Sequence, residues 1–275
     1  MRSTGALFWM VTSLVAAAAA TPSPLKAQDR DDWQDDCYRG SSWRERARYC
    51  DIREVRAAIP QGRLVVEGGQ NGGAMVRGED RSDLLIEARI ETHAGTDREA
   101  RELADQVRVR TDGGIVQAEG PLSRRGASWS VTFLVRAPRR TNVELRAENG
   151  PVSVREISGT VRARTENGPL SLERVSGDVR ARTANGPLGV VLSGSSWEGV
   201  GLDAETQNGP VDLALPEGYS AQLETGTING PMDVDVPLSA TITRMRARRL
   251  TLTLGPGGPP VRVVSTNGPF TLRRP

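Results

Sequence analysis

Arginine recurs on a fixed beat in the middle of this 275-residue chain. Arg146, Arg164 and Arg182 follow one another at intervals of 18, and Arg162 and Arg180 repeat that interval two residues earlier. A guanidinium is a planar fork of donors that grips carboxylate or phosphate oxygens two at a time. Five in register would form a stripe for an anionic polysaccharide or a row of lipid headgroups. Acids share the frame. Glu144 precedes Arg162 and Arg180 in one column and Asp203 follows them, while Glu205 closes the column of Arg146, Arg164 and Arg182. Glu148 and Glu166 are near in sequence. Stacked guanidinium groups repel unless carboxylates or a bound anion intervene, so the same columns also read as a solvated, partly paired face.

Other chemistry has less to stand on. Asp203 and Glu205 could serve a sugar-cleaving enzyme, which needs paired carboxylates at a set separation or a metal plus a base. On stacked repeats, however, outward acids are neighbours by default. His93 is the sole histidine, so no nucleophile–His–acid arrangement can be assembled. Asp203, Glu205, Asp212, Asp233 and Asp235 form an acidic end without the compact, glycine-punctuated loop that calcium prefers. No catalytic residue, metal site or cofactor is expected. A formal charge of +2 and 4% aromatic residues speak against a nucleic-acid partner. The stretch Ser193 to Asp203 lengthens one repeat and brings in Trp197, whose ring could stack on a sugar or plug a gap between repeats.

The elements that must carry these residues are strands. Asn-Gly-Pro occurs at Asn149, Asn167, Asn185, Asn208, Asn229 and Asn267, at intervals of 18, 18, 23, 21 and 38. The last interval is about twice the others, as if one repeat between Pro237 and Gly255 had lost its signature. Apolar residues alternate on both sides of each signature, as in Val161, Ala163, Thr165 and then Leu170, Leu172. Period two with one apolar side means strands, and a near-constant period means stacked repeats. Asn-Gly alone would signal a hairpin. Proline after the glycine has no N–H to donate across such a turn and pushes the glycine into extended backbone. The signature therefore reads as a corner between two strands of one coil, with successive coils paired in parallel, Val over Val and Asn over Asn. Ser158-Gly159, Ser176-Gly177 and Ser193-Gly194 mark a second corner. The six asparagines are expected to form an inward structural ladder beside Thr165, Thr183, Thr206, Thr227 and Ser265.

Before the array, Thr96 to Val107 is a helix candidate capped by Thr96, with Ala100, Leu103, Ala104 and Val107 on one face. Residues 1–27 have the order of a secretory signal: Arg2, an apolar run from Ala6 to Ala20, then small residues. That run is short of the roughly 20 residues of a spanning helix. The mature chain is expected to be exported and not membrane-spanning. Cys37 and Cys50 read as one disulfide in an oxidising compartment.

A polar lead-in over 28–49, the "CDIRE" opening at Cys50, "NGGAMVRG", the short helix and the Thr-x-Asn-Gly repeats together resemble the bacterial adhesin-like β-solenoid domain family of unknown function. That family is related in form to auto-transporter adhesin heads. The resemblance implies an all-β, right-handed parallel β-solenoid of roughly 18–23-residue coils over residues 50–275, with one short helix near 96–107. It also implies a non-catalytic module of the bacterial envelope, in the periplasm or at the surface, whose partner is a glycan or protein component. A polysaccharide-processing enzyme and an envelope stress sensor are the alternatives.

Overall fold

The computed structural model describes residues 37, 47–59, 62–234, 240–246 and 248–275, with backbone alone over 240–246. The expected signal over 1–27 and most of the lead-in over 28–49 lie outside the described residues, as does Asp235. Cys37 and Cys50 are joined by a disulfide, with Cα atoms 5.6 Å apart.

The described residues build two sheets from 21 strands. They begin with β1 (Ala47–Ala57), β2 (Arg63–Glu67), β3 (Ala74–Glu79) and β4 (Leu84–Ala94), then helix α1 (Asp97–Gln106), β5 (Arg108–Arg110), β6 (Ile115–Glu119) and β7 (Ser128–Pro138). The repeats follow in pairs. These are β8 (Asn142–Ala147) with β9 (Val152–Arg155), β10 (Ser158–Asn167) with β11 (Leu170–Glu173), and β12 (Ser176–Asn185) with β13 (Leu188–Val191). Next come β14 (Gly201–Asn208) with β15 (Val211–Ala214), and β16 (Ala221–Asn229) with β17 (Met232–Val234). The remaining strands are β18 (Ala240–Arg246), β19 (Arg249–Leu254), β20 (Pro260–Asn267) and β21 (Phe270–Arg273).

Each Asn-Gly-Pro passes the chain from one sheet to the other, and the coils then pair in parallel and in register. Val161 lies beside Val179, Arg162 beside Arg180, and Asn167 beside Asn185. The inward side chains of the two sheets meet in one core that includes Val161, Leu170, Leu172, Val190 and Leu213.

The right-handed parallel β-solenoid expected over 50–275 is not what forms. Both sheets are mixed. β4 pairs antiparallel with β1 and with β7. β19 pairs antiparallel with both β16 and β18, so 240–254 is no repeat that lost its signature. The order in the ten-stranded sheet is β1-β4-β7-β3-β9-β11-β13-β15-β21-β17, and in the eleven-stranded sheet β18-β19-β16-β20-β14-β12-β10-β8-β2-β6-β5. The physical reason is that β4 and β7 carry apolar alternation but no corner signature, and alternation alone serves either pairing direction.

The glycine of each signature is set by crowding. A Cβ on Gly168 would lie 2.2 Å from the Gly150 carbonyl oxygen, and one on Gly186 would lie 2.0 Å from that of Gly168. The asparagine ladder forms, but on the surface rather than inward. Asn167 Nδ2 donates to Asn149 Oδ1 at 2.8 Å and Asn185 Nδ2 to Asn167 Oδ1 at 2.9 Å, with all six side chains exposed. Thr165, Thr183 and Thr206 point into the core and donate to the glycine carbonyls of the neighbouring coil, Thr165 to Gly150 and Thr183 to Gly168 at 3.0 Å and Thr206 to Gly186 at 2.9 Å. Asn71-Gly72 is a further rung that the Asn-Gly-Pro pattern misses. Its following residue is Gly73, yet Asn149 Nδ2 donates to Gln70 O at 2.8 Å and a Cβ on Gly150 would meet Gly72 O at 2.1 Å.

α1 carries the expected Thr96 cap and adds the reciprocal bond from the Thr96 N–H to Glu99 Oε2 at 3.1 Å. Arg53 of β1 donates to the carbonyls of Ala104 and Val107 at 2.9 and 2.6 Å, placing a cation at the C-terminal end of the helix.

The second corner is turned by Glu156 (φ 56) and Arg174 (φ 51), both in left-handed backbone, with the Ser-Gly pairs just after them at the starts of β10 and β12. Hydrogen bonds from Arg174 and then Arg139 hold the Glu156 carboxyl down at about 2. The folded value lies below the unfolded one, so the interaction is fully present above about pH 4.5 and is lost as pH falls toward 2. Glu156→Gln should lower stability at neutral pH and flatten the acid limb across that window, read by urea unfolding at stepped pH. An acid limb identical to wild type would show that this carboxylate contributes nothing to it.

Candidate arginine groove

All five arginines of the sequence stripe stand on the outward face of the eleven-stranded sheet, brought together by parallel register. One cross-strand row runs Val65, Glu144, Arg162, Arg180, Asp203, Arg262, Glu224. The next runs Glu67, Arg146, Arg164, Arg182, Glu205. Neighbouring rungs lie roughly 4.8 Å apart. Over β2, β8, β10 and β12 the face is concave, a groove of about 890 Å³ lined by Arg146, Arg162, Arg164, Arg180 and Arg182 with Glu67, Glu144, Glu148 and Glu166.

Pairing within the groove is uneven. Arg162 meets Asp178 at 2.7 Å, and this hydrogen bond holds the Asp178 carboxyl below its ordinary value. Arg146 bonds Glu144, which Arg63 also reaches at 3.3 Å. Partial burial pushes the Glu144 carboxyl up, but these two arginines more than offset it. Arg182 bonds Glu205 and lies 3.2 Å from Asp203. Arg164 and Arg180 are different. Among the described residues their nearest carboxylates, Glu166 and Asp178, are each 3.8 Å away, beyond hydrogen-bond reach, and the two side chains are 70% and 61% exposed.

The acidic end is tied off. Arg262 of β20 reaches Asp203 at 2.5 Å, Glu205 at 2.9 Å and Glu224 at 3.6 Å. Burial pushes its guanidinium down, and Glu205 and Asp203 more than restore the charge. Sequence reasoning missed Arg262, because only the strand order shows that residues 260–267 lie against β14. Trp197 is 4% exposed, with its indole N–H donating to the Gly177 carbonyl at 3.1 Å.

No family model matches the chain, and no curated protein matches it. Solved structures that are similar at low identity include the following three. A candidate cell-adhesion protein from Clostridium sporogenes aligns with 83% of this chain and 100% of its own, at 10% identity and a TM-score of 0.34. A candidate adhesin from Bacteroides fragilis aligns with 82% of this chain and 97% of its own, at 9% identity and a TM-score of 0.35. A candidate lipid-binding protein from Parabacteroides distasonis aligns with 81% of this chain and 96% of its own, at 11% identity and a TM-score of 0.25. Likenesses this weak leave function to the chain's own geometry.

Proposed function

We propose that this chain is a non-catalytic binding module of the bacterial envelope, whose arginine groove takes an extended anionic polysaccharide. The observation that carries this reading is the pair Arg164 and Arg180. They sit in the middle of a concave face, exposed, with no carboxylate among the described residues in hydrogen-bond reach. An incoming row of carboxylates can bond these forks without first breaking a tight ion pair, and Arg146 and Arg182 extend the row along the same face. Asp203 and Glu205, on which a sugar-cleaving reading would rest, are held by Arg262 and Arg182 instead. The Cys37–Cys50 disulfide supports an oxidising compartment such as the periplasm or cell surface. Among the described residues no helix is long and apolar enough to cross a membrane.

Calorimetric titration with a polyuronate, against a neutral glucan, tests the reading. Arg164→Ala with Arg182→Ala should weaken polyuronate binding about tenfold or more, since each lost charged hydrogen bond counts for about 1.5–3 kcal/mol. Wild-type affinity should also fall as salt rises. Affinity that survives both the double substitution and added salt would overturn the groove as the site.

A further inference from the structure

The coil formed by β20 and β21 does not stack where chain order would put it. It lies between the coil of β14 and β15 and the coil of β16 and β17, pairing in parallel with both. To reach that place the chain leaves β19 on one side of β16 and enters β20 on the other. The step over β16 is made by Gly255–Pro259, with Gly255 and Gly257 in left-handed backbone (φ 53 and 86).

The two walls of this slot share their inward apolar pattern and their ladder residues. Through β20, Leu202 aligns with Leu223, Thr206 with Thr227, and Asn208 with Asn229. Apolar pattern and ladder would therefore let β14 pair directly with β16. Charge opposes it. Asp203 and Glu224 align on the same residue, Arg262, so closing the slot would set two carboxylates opposite each other on adjacent strands. With the coil inserted, Arg262 lies against Asp203, Glu205 and Glu224, and Arg273 forks onto Asp212 of β15 at 2.9 to 3.1 Å. Phe270 fills the matching place between Val211 and Met232, 1% exposed.

We infer that the slot between β14–β15 and β16–β17 is a strand-acceptor site specific for the 260–273 coil, and that a second copy of this chain can supply that coil in place of its own. The walls are acidic, the insert is basic, and the empty slot resists closing on itself. The occupant is held by register, apolar fit and ion pairs, none of which depends on which copy it comes from. A hinge of five residues, two of them proline, joins it to β19 and can extend to about 17 Å, the kind of short linker at which identical chains exchange elements.

The test uses full-length chains. Gln207 and Thr266 lie side by side on β14 and β20, between the pairs Thr206–Ser265 and Asn208–Asn267. A chain carrying both Gln207→Cys and Thr266→Cys should cross-link within itself, which checks the geometry. A Gln207→Cys chain and a Thr266→Cys chain, unfolded together and refolded at high concentration, should give a covalent heterodimer linked through these two positions. Its yield should drop steeply on dilution, because the intrachain coil has the higher effective concentration. Arg262→Glu in the chain that donates the coil should cut the yield about tenfold, while Arg125→Glu, remote from the slot, should leave it unchanged. Quantitative cross-linking of the double variant with no heterodimer at any concentration would overturn the inference. A yield indifferent to Arg262→Glu would overturn its charge basis.

Discussion

Gly168→Ala should destabilise this protein by about 3 kcal/mol or more, at the severe end of what overpacking costs. The added methyl would lie 2.2 Å from the Gly150 carbonyl oxygen and 2.7 Å from its carbon. Both contacts are with backbone, so no side chain can swing aside. The Gly150 carbonyl also accepts the Thr165 hydroxyl, so a local shift would strain that buried bond. The column repeats the constraint at Gly150, Gly186, Gly209, Gly230 and Gly268, where an added Cβ would in each case lie within 2.2 Å of a neighbouring glycine carbonyl oxygen. Relief at one rung therefore displaces the next. Denaturant unfolding reads the effect. A loss below about 1 kcal/mol would mean that the corners are looser than these distances require.

Leu172→Ala should cost about 2–5 kcal/mol, the range for truncating a fully buried leucine. Leu172 is 1% exposed and sits in register between Val154 and Val190. Those neighbours are β-branched and packed on ordered strands, so the hole cannot close readily. Leu170, fully buried beside Val152 and Leu188, should behave alike. Near-neutral values at both positions would overturn the inward register of the array.

Much of this architecture was legible because the repeat writes the same physics several times. Proline after Asn-Gly removes the hairpin, alternation names the inward residues, and a constant interval aligns them. What stayed illegible has specific causes. Leu84–Ala94 and Ser128–Pro138 alternate just as the repeats do, and alternation cannot say that they pair antiparallel. The asparagines repeat as strictly as the core positions do, yet their ladder is exposed, because side-chain bonds along a corner do not require burial. Asn71-Gly72-Gly73 is a rung without proline, invisible to a pattern built on proline. The strand order is hidden because Asn208, Asn229 and Asn267 carry one signature. The charges of Asp203, Glu224 and Arg262 do distinguish those coils, but they show their meaning only once the coils are stacked.

The arginine groove was legible as a set of residues but not as a set of partners. Register could be read from the interval of 18, whereas the looseness of Arg164 and Arg180 depends on where Glu166 and Asp178 extend. Arginine-specific chemical modification, mapped by mass spectrometry with and without saturating polyuronate, tests the binding reading most directly. Bound polymer should protect Arg164, Arg180 and Arg182 strongly while leaving the exposed Arg124 and Arg125 as reactive as before. Equal reactivity at the groove arginines with and without polymer, under conditions where binding is measured, would contradict it.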